Sequence, residues 1–230
     1  MSLSVHEKSV SILIGPNGSG KTTLINVISG FYRPDSGRVQ YDSTDITGWP
    51  PHSVYKAGLA RTFQIPALFT KLTVLENLLV AEKKNPGDSF SKALFKRFWL
   101  RKEEETIEKA ANVLETLGLM RQANTPSYLL SGGQMKLLEM GRALMSDSKL
   151  LLLDEPVSGV NPTLAHEIFS KIIRLRDEAG ISFFIVEHRL DIAMKYVDHM
   201  TAMALGRVIA SGHPDHVVGD AKVVEAYLGD

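Results

Sequence analysis

Cysteine is absent from the 230 residues, so disulfides and thiolate chemistry are excluded and any zinc site would have to rest on histidine and carboxylate. That absence fits a reducing compartment. No apolar run reaches the roughly 18 residues that cross a bilayer, and Met1 to Val10 lacks the apolar core of a signal peptide. Attachment to a membrane would therefore need a partner. Neither sign of charge is in excess: Lys+Arg and Asp+Glu are both 26, so no overall field draws the chain to nucleic acid or to an anionic bilayer, and no nucleic-acid partner is expected. Internal repeats and low-complexity segments are also missing. What remains is an ordinary globular composition, 44% hydrophobic and 23% charged, over a length that suits one domain carrying an inserted lobe.

Short apolar runs at Val10 to Ile14, Leu150 to Leu153 and Phe183 to Val186 alternate with segments of helical spacing, which predicts an α/β core with a mainly parallel, buried sheet. Between Asn161 and Gly180 the residues Leu164, Ile168, Ile172, Leu175 and Ala179 keep to one helical face, with Asn161 as N-cap, Pro162 in the first turn and Gly180 as the stop. From about residue 66 to 128 strand patterns vanish, and the spacing of Ile107, Ala110, Leu114 and Leu117 before Gly118 predicts a helical lobe inserted into one domain spanning 1–230. Met200 to Leu205 and Val208 to Ala210 around Gly206-Arg207 predict an antiparallel hairpin, and Val217 to Leu228 a closing helix.

Gly15-Pro16-Asn17-Gly18-Ser19-Gly20-Lys21-Thr22 matches the phosphate-loop pattern GxxxxGK[ST], lying after a strand and before a helix as the mechanism requires. The glycines let backbone N–H groups curl around phosphate oxygens, Lys21 reaches the β and γ phosphates, and the Thr22 hydroxyl can ligate Mg²⁺. Gly15 to Thr22, with Thr23, are the candidate ATP-binding residues; a glycine-rich turn with an exposed lysine is the plainer alternative. Asp154-Glu155 puts two carboxylates at the end of the Leu150 to Leu153 strand, Asp154 suited to hold Mg²⁺ and Glu155 to activate water, although carboxylates there often serve only as caps or ion-pair partners. Ser131-Gly132-Gly133-Gln134 opens a second apolar-faced helix with an electropositive start. It is either a plain serine cap or an anion cradle for nucleotide held by another subunit, which implies a two-fold dimer.

The phosphate loop, Gln64, the Leu130 to Gln134 signature, Asp154-Glu155 and His188 follow in the order and approximate spacing of ABC ATPases, and the resemblance covers nearly the whole chain. By that resemblance the fold is the ABC-type phosphate-loop NTPase core with an antiparallel β portion and a helical lobe. Gln64 would sense Mg²⁺ and the attacking water, and His188 would contact the γ-phosphate. A narrower resemblance, to the ATPases of branched-chain amino-acid importers, rests on Ala60-Arg61-Thr62-Phe63-Gln64, Leu72 to Leu78, Gly159-Val160-Asn161-Pro162, Val186-Glu187-His188 and Glu225 to Gly229. It implies a pair of ATPase subunits, the same chain or a sister chain, beneath transmembrane permease subunits at the cytoplasmic face of the cell membrane. An extracytoplasmic solute-binding protein would feed them indirectly, and the permease is expected to dock near Phe63 and Leu68 to Leu72.

Most ABC ATPases carry Asp where this chain has Asn161, as the branched-chain group commonly does. Family members usually begin with a further strand and an aromatic that stacks on adenine; here the phosphate loop comes early and no such aromatic precedes it. Base stacking is worth about 1 to 3 kcal/mol, so ATP affinity is expected to be lower by roughly tenfold or more. Phe90 to Lys102 mixes aromatic with basic residues, which suits a membrane surface or, more plainly, packing with solvated basic stems. Rival functions are lipid or polysaccharide export, and ABC ATPases of DNA repair, chromosomes or translation. The long coiled coils or fused second cassette of the latter are not present, and a non-hydrolysing module would lack Glu155 or Lys21.

Overall fold

The computed structural model describes residues 1–83 and 96–228, with the side chains of 96–101 outside the description. The expectations for Phe90 to Arg101 and for Gly229 fall outside the described residues. The chain divides into two compact units, residues 1–64 with 148–230, and residues 65–147.

The first unit is built on a six-stranded sheet. Its strands are β1 (Val10–Ile14), β4 (Leu59–Arg61), β5 (Leu150–Asp154), β6 (Ser182–Val186), β7 (His199–Ala204) and β8 (Arg207–Gly212), in the order β4-β5-β6-β1-β7-β8. All neighbours are parallel except β7 and β8, which form the antiparallel hairpin expected from sequence. Leu205 and Gly206 both take positive φ at its turn, as a two-residue hairpin loop requires. Strands β1 and β6 are buried along their whole length, which is why, Ser11 and Ser182 apart, they read as apolar runs rather than alternating ones. A separate ribbon pairs β2 (Gln40–Tyr41) with β3 (Thr44–Asp45).

Helices α1 (Lys21–Ile28), α2 (Pro51–Ala57) and α6 (Pro162–Ala179) belong to this unit. The Asn161 side chain accepts from the Leu164 N–H and Gly180 ends α6 in the left-handed region, so both stops act as the sequence implies. The buried face differs from the expected one: Ala165 and Phe169 join Ile168, Ile172 and Leu175, while Ala179 is exposed. Phe169 supplies the bulk, lying against Tyr196 with ring centroids 5.3 Å apart. The single closing helix is corrected to two, α8 (Pro214–Val218) and α9 (Ala221–Leu228), because Gly219 and Asp220 interrupt the chain and Asp220 Oδ1 accepts from the Lys222 N–H at the new start. A one-turn helix, α7 (Leu190–Ala193), follows β6.

The second unit packs α3 (Val74–Leu79), α4 (Lys96–Leu117) and α5 (Gly132–Leu144). It runs from Ile65 to Asp147, past the limit near residue 128 that the spacing suggested, because α5 packs on its sister helices: at Gly141 a side chain would meet Leu117 of α4 and Leu78 of α3. Asn77, fully buried, knits the entry to α3, its amide donating to the carbonyls of Phe69, Leu72 and Thr73.

Candidate functional site

Register fixes where the chemistry sits in the first unit. Leu13 of β1 and Asp154 of β5 both align with Val186 of β6, so the three strands end level, and the segments that follow them emerge together at the carboxyl edge of the sheet. That edge is where doubly wound sheets hold their ligands. After β1 comes Gly15 to Gly20, after β5 Glu155, and after β6 Glu187 and His188.

The loop Gly15 to Gly20 is held by glycines at positive φ. Gly15 has φ 152° and lies so close to β7 that a Cβ would stand 2.2 Å from the Met203 carbonyl oxygen; Gly20, at φ 100°, opens α1. Asn17, Gly18, Thr22 and Thr23 are exposed, Pro16 and Gly20 half-buried, and Ser19 buried. Lys21 turns back into the loop, its Nζ donating to the carbonyls of Gly15 at 2.7 Å and Pro16 at 2.8 Å. Burial holds its pKa below the ordinary lysine value, with the nearby charges of Glu155 and Asp154 opposing the shift.

The Glu155 carboxylate lies between two side chains. Gln64 Nε2 donates to Oε2 at 2.9 Å, and His188 Nε2 is 3.4 Å from Oε1. Glu155 itself has φ 50°, a left-handed conformation that costs a non-glycine residue on the order of 1 to 2 kcal/mol, and its N–H donates to the Val186 carbonyl. Strain of this kind persists only where the surroundings over-determine it. Asp154, 8% exposed, points back into the first unit, where its Oδ2 pairs with Arg61 at 3.2 Å. The structure places Gln64, Asp154, Glu155, His188 and the phosphate loop in one unit, and Asp154 is also in an ion pair, the plainer use open to it from sequence.

Ser131 to Gln134 lies in the second unit at the start of α5. Ser131 Oγ accepts from the Gln134 N–H at 3.4 Å and the Gln134 side chain accepts from the Ser131 N–H at 2.9 Å, a capping box that leaves Gly132 exposed and open at its Cα, with nothing within 4 Å of an added Cβ.

Three residues of the site went unassigned in the sequence reading, although each sits inside a motif quoted there. Arg61 ties Asp154 to α1 through Asn26 Oδ1 at 2.6 Å and Ser29 Oγ at 3.1 Å, its guanidinium near the rings of Phe31 and Phe63. Glu187 is buried behind His188, and the hydroxyl of Tyr227 accepts from the Gly15 N–H. The one local hint is at Glu187, a charged residue directly after the apolar run of β6, and it does not say which groups the carboxylate meets.

Among the described residues no cluster of three or more His, Asp or Glu forms a ready metal centre, and no helix is long and apolar enough to cross a membrane. A family model for ABC transporters matches residues 1–158, and one described as branched-chain amino acid ATP-binding cassette transporter matches 207–230. The chain is 49% identical over 229 residues to a probable branched-chain amino acid transport ATP-binding protein LivG of Archaeoglobus fulgidus, covering 100% of this chain and 88% of the relative. It is also 49% identical over 234 residues to a LivG protein of Methanocaldococcus jannaschii, covering 100% and 90%. Among solved structures, the ADP conformation of an ATP-binding cassette of an ABC transporter superimposes with a TM-score of 0.86 at 48% identity, covering 100% of this chain and 91% of that one. The phosphate loop, the level strand ends and this agreement along the whole length make the chain a member of the ABC transporter family, as one of its ATP-hydrolysing cassettes.

Proposed function

We propose that the chain is the ATPase of an importer for branched-chain or similar amphipathic amino acids, working at the cytoplasmic face of the membrane as an ATP-sandwiched pair beneath permease subunits that an external solute-binding protein supplies. The amino-acid assignment is supported by the names of the two LivG relatives and by the model matching residues 207–230. The observation that carries the hydrolytic reading is the bracketing of the Glu155 carboxylate by Gln64 and His188.

In this reading Lys21 exchanges the carbonyls of Gly15 and Pro16 for β- and γ-phosphate oxygens, anionic acceptors that make stronger, charge-assisted bonds. Backbone N–H groups from Asn17 to Thr23 cradle the phosphates. Glu155 orients and activates water, Gln64 holds that water from one side, and His188 meets the γ-phosphate from the other. The hydroxyl of Thr22, the carboxylate of Asp154 and the amide oxygen of Gln64 are hard oxygen donors of the kind Mg²⁺ takes, and when bound it supplies charge neutralisation on the phosphates. Ser131 to Gln134 would receive the γ-phosphate of nucleotide held by the opposite subunit, which accounts for an exposed glycine-rich helix start in a chain that already has a phosphate loop. Ile65 and Phe69, 82% and 47% exposed, offer the permease an apolar contact in the second unit.

The test is light scattering of the Glu155→Gln variant with and without ATP, followed by reconstitution with permease subunits of a LivG-type importer. A dimer seen only with ATP, and leucine-dependent stimulation of hydrolysis by the parent in vesicles, are the expected results. A variant that stays monomeric at saturating ATP overturns self-pairing. Stimulation by a lipid or polysaccharide precursor in place of amino acids overturns the substrate class.

A further inference from the structure

Glu187 is 1% exposed, and among the described residues no lysine or arginine forms an ion pair with it. A buried carboxylate without a countercharge costs several kcal/mol unless its oxygens are saturated by donors. Here the donors are backbone. Oε1 accepts from the Val157 N–H at 2.8 Å, while Oε2 accepts from the N–H groups of His188 at 2.9 Å and Arg189 at 3.2 Å. The two oxygens therefore serve two different turns, one following Glu155 and the other carrying His188. A second tie runs alongside, Arg189 Nη1 to the Val160 carbonyl at 3.2 Å.

Capping the end of β6 would need one acceptor, and a hydroxyl or an amide would supply it. Only a carboxylate offers two acceptors that diverge onto two turns with no donor of its own to be accommodated. We infer that Glu187 is a positioning residue for ATP hydrolysis, its carboxylate fixing the turn after Glu155 against the turn of His188 and so setting how those two side chains meet. The inference rests on the roles proposed above for Glu155 and His188. It adds that their separation, 3.4 Å between His188 Nε2 and Glu155 Oε1, is governed from behind by a group that touches neither nucleotide nor water. The hydrogen bonds of Glu187 go to Val157, His188 and Arg189 and none to Lys21 or to Gly15 to Gly20, so the effect is expected on turnover rather than on ATP binding.

The experiment is a double-mutant cycle of Glu187→Gln and His188→Ala in the full chain, reading kcat and KM for ATP, with backbone amide exchange as a second readout. Glu187→Gln keeps the shape but turns one oxygen into a donor facing an N–H. It should lower kcat by about tenfold or more, the scale expected when reacting groups shift by a fraction of an ångström, with KM changed by less than about twofold. In the His188→Ala background the same change should cost less than about twofold. Amides of Val157, His188 and Arg189 should exchange faster in Glu187→Gln while those of Lys21 and Thr22 do not. A His188→Ala variant as active as the parent overturns the proposed role of His188, and this inference with it. An impaired His188→Ala with a fully active Glu187→Gln, losses that multiply, or a rise in KM that accounts for the defect overturns this inference alone. If Glu187→Gln does not fold, the parent decides: protection of the Val157, His188 and Arg189 amides comparable to those of β6 supports the ties, and rapid exchange overturns them.

Discussion

The backbone N–H of Gly15 donates to the hydroxyl of Tyr227 at 2.9 Å, joining residues 212 positions apart and pinning α9 to the first residue of the phosphate loop. Gly15 is buried, so removal of the hydroxyl leaves a donor without water or protein to satisfy it. Tyr227→Phe is expected to lower unfolding free energy by about 1 to 3 kcal/mol in denaturant titrations. Unfolding at the parent's midpoint would mean that water replaces the hydroxyl. The contact also gives the segment matched by the narrower family model a physical task, bracing the nucleotide loop from the far end of the chain.

Gly15 and Gly18 both have positive φ, yet substitution should separate them sharply. At Gly18 an added Cβ meets nothing within 4 Å, so alanine pays only for the left-handed conformation, about 1 to 2 kcal/mol. At Gly15 the Cβ would lie 2.2 Å from the Met203 carbonyl oxygen and 2.7 Å from Ser19 Oγ, and strand β7 would have to move. Gly15→Ala is expected to fold poorly or to lose ATP binding altogether, whereas Gly18→Ala keeps its fold with a modest loss in thermal unfolding. Equal melting temperatures for the two variants would contradict the close approach of loop and strand.

Arg61 is the ion partner of Asp154, with side chains 8% and 10% exposed. Removing one member of a buried pair typically costs about 3 to 5 kcal/mol because the other charge is left unpaired. Arg61→Met should show that loss in denaturant unfolding. Arg61→Lys should recover only part of it, since an ammonium cannot reproduce the planar fork that reaches Asn26, Ser29 and Asp154 together. Full recovery by lysine would reduce the role of Arg61 to charge alone.

Strands β1, β5 and β6 are legible because strands buried on both faces are mainly apolar on both, and α6 because Asn161 and Gly180 mark its ends chemically. Strand β4 is not, since three residues, Leu59 to Arg61, carry no period and owe their conformation to pairing with β5. The break at Gly219 and Asp220 leaves no mark in the sequence pattern because the apolar spacing continues across it. Site residues that bind through a local motif could be found in order along the chain. Arg61, Glu187 and Tyr227 could not, because their partners stand 93, 30 and 212 positions away and only the sheet brings them together.

Gly141 sets local propensity against packing within the second unit. Alanine is the better helix former by about 1 kcal/mol, so on propensity alone Gly141→Ala in the interior of α5 would stabilise the protein. The site is closed, however: a Cβ would lie 2.9 Å from Leu117 Cδ1, 3.0 Å from Leu78 Cδ2 and 3.3 Å from Val113 Cγ1, three side chains from α3 and α4 converging on one point. Overpacking of this kind costs about 1 to 3 kcal/mol, and because the two leucines are fully or almost fully buried they have little room to turn away. The packing term is therefore expected to win, with a net loss of up to about 2 kcal/mol in denaturant unfolding and faster amide exchange confined to residues 65–147. A gain in stability would mean that α3 and α4 yield to α5 more readily than their burial implies, and that the glycine is kept for some other reason than the closeness of the three helices.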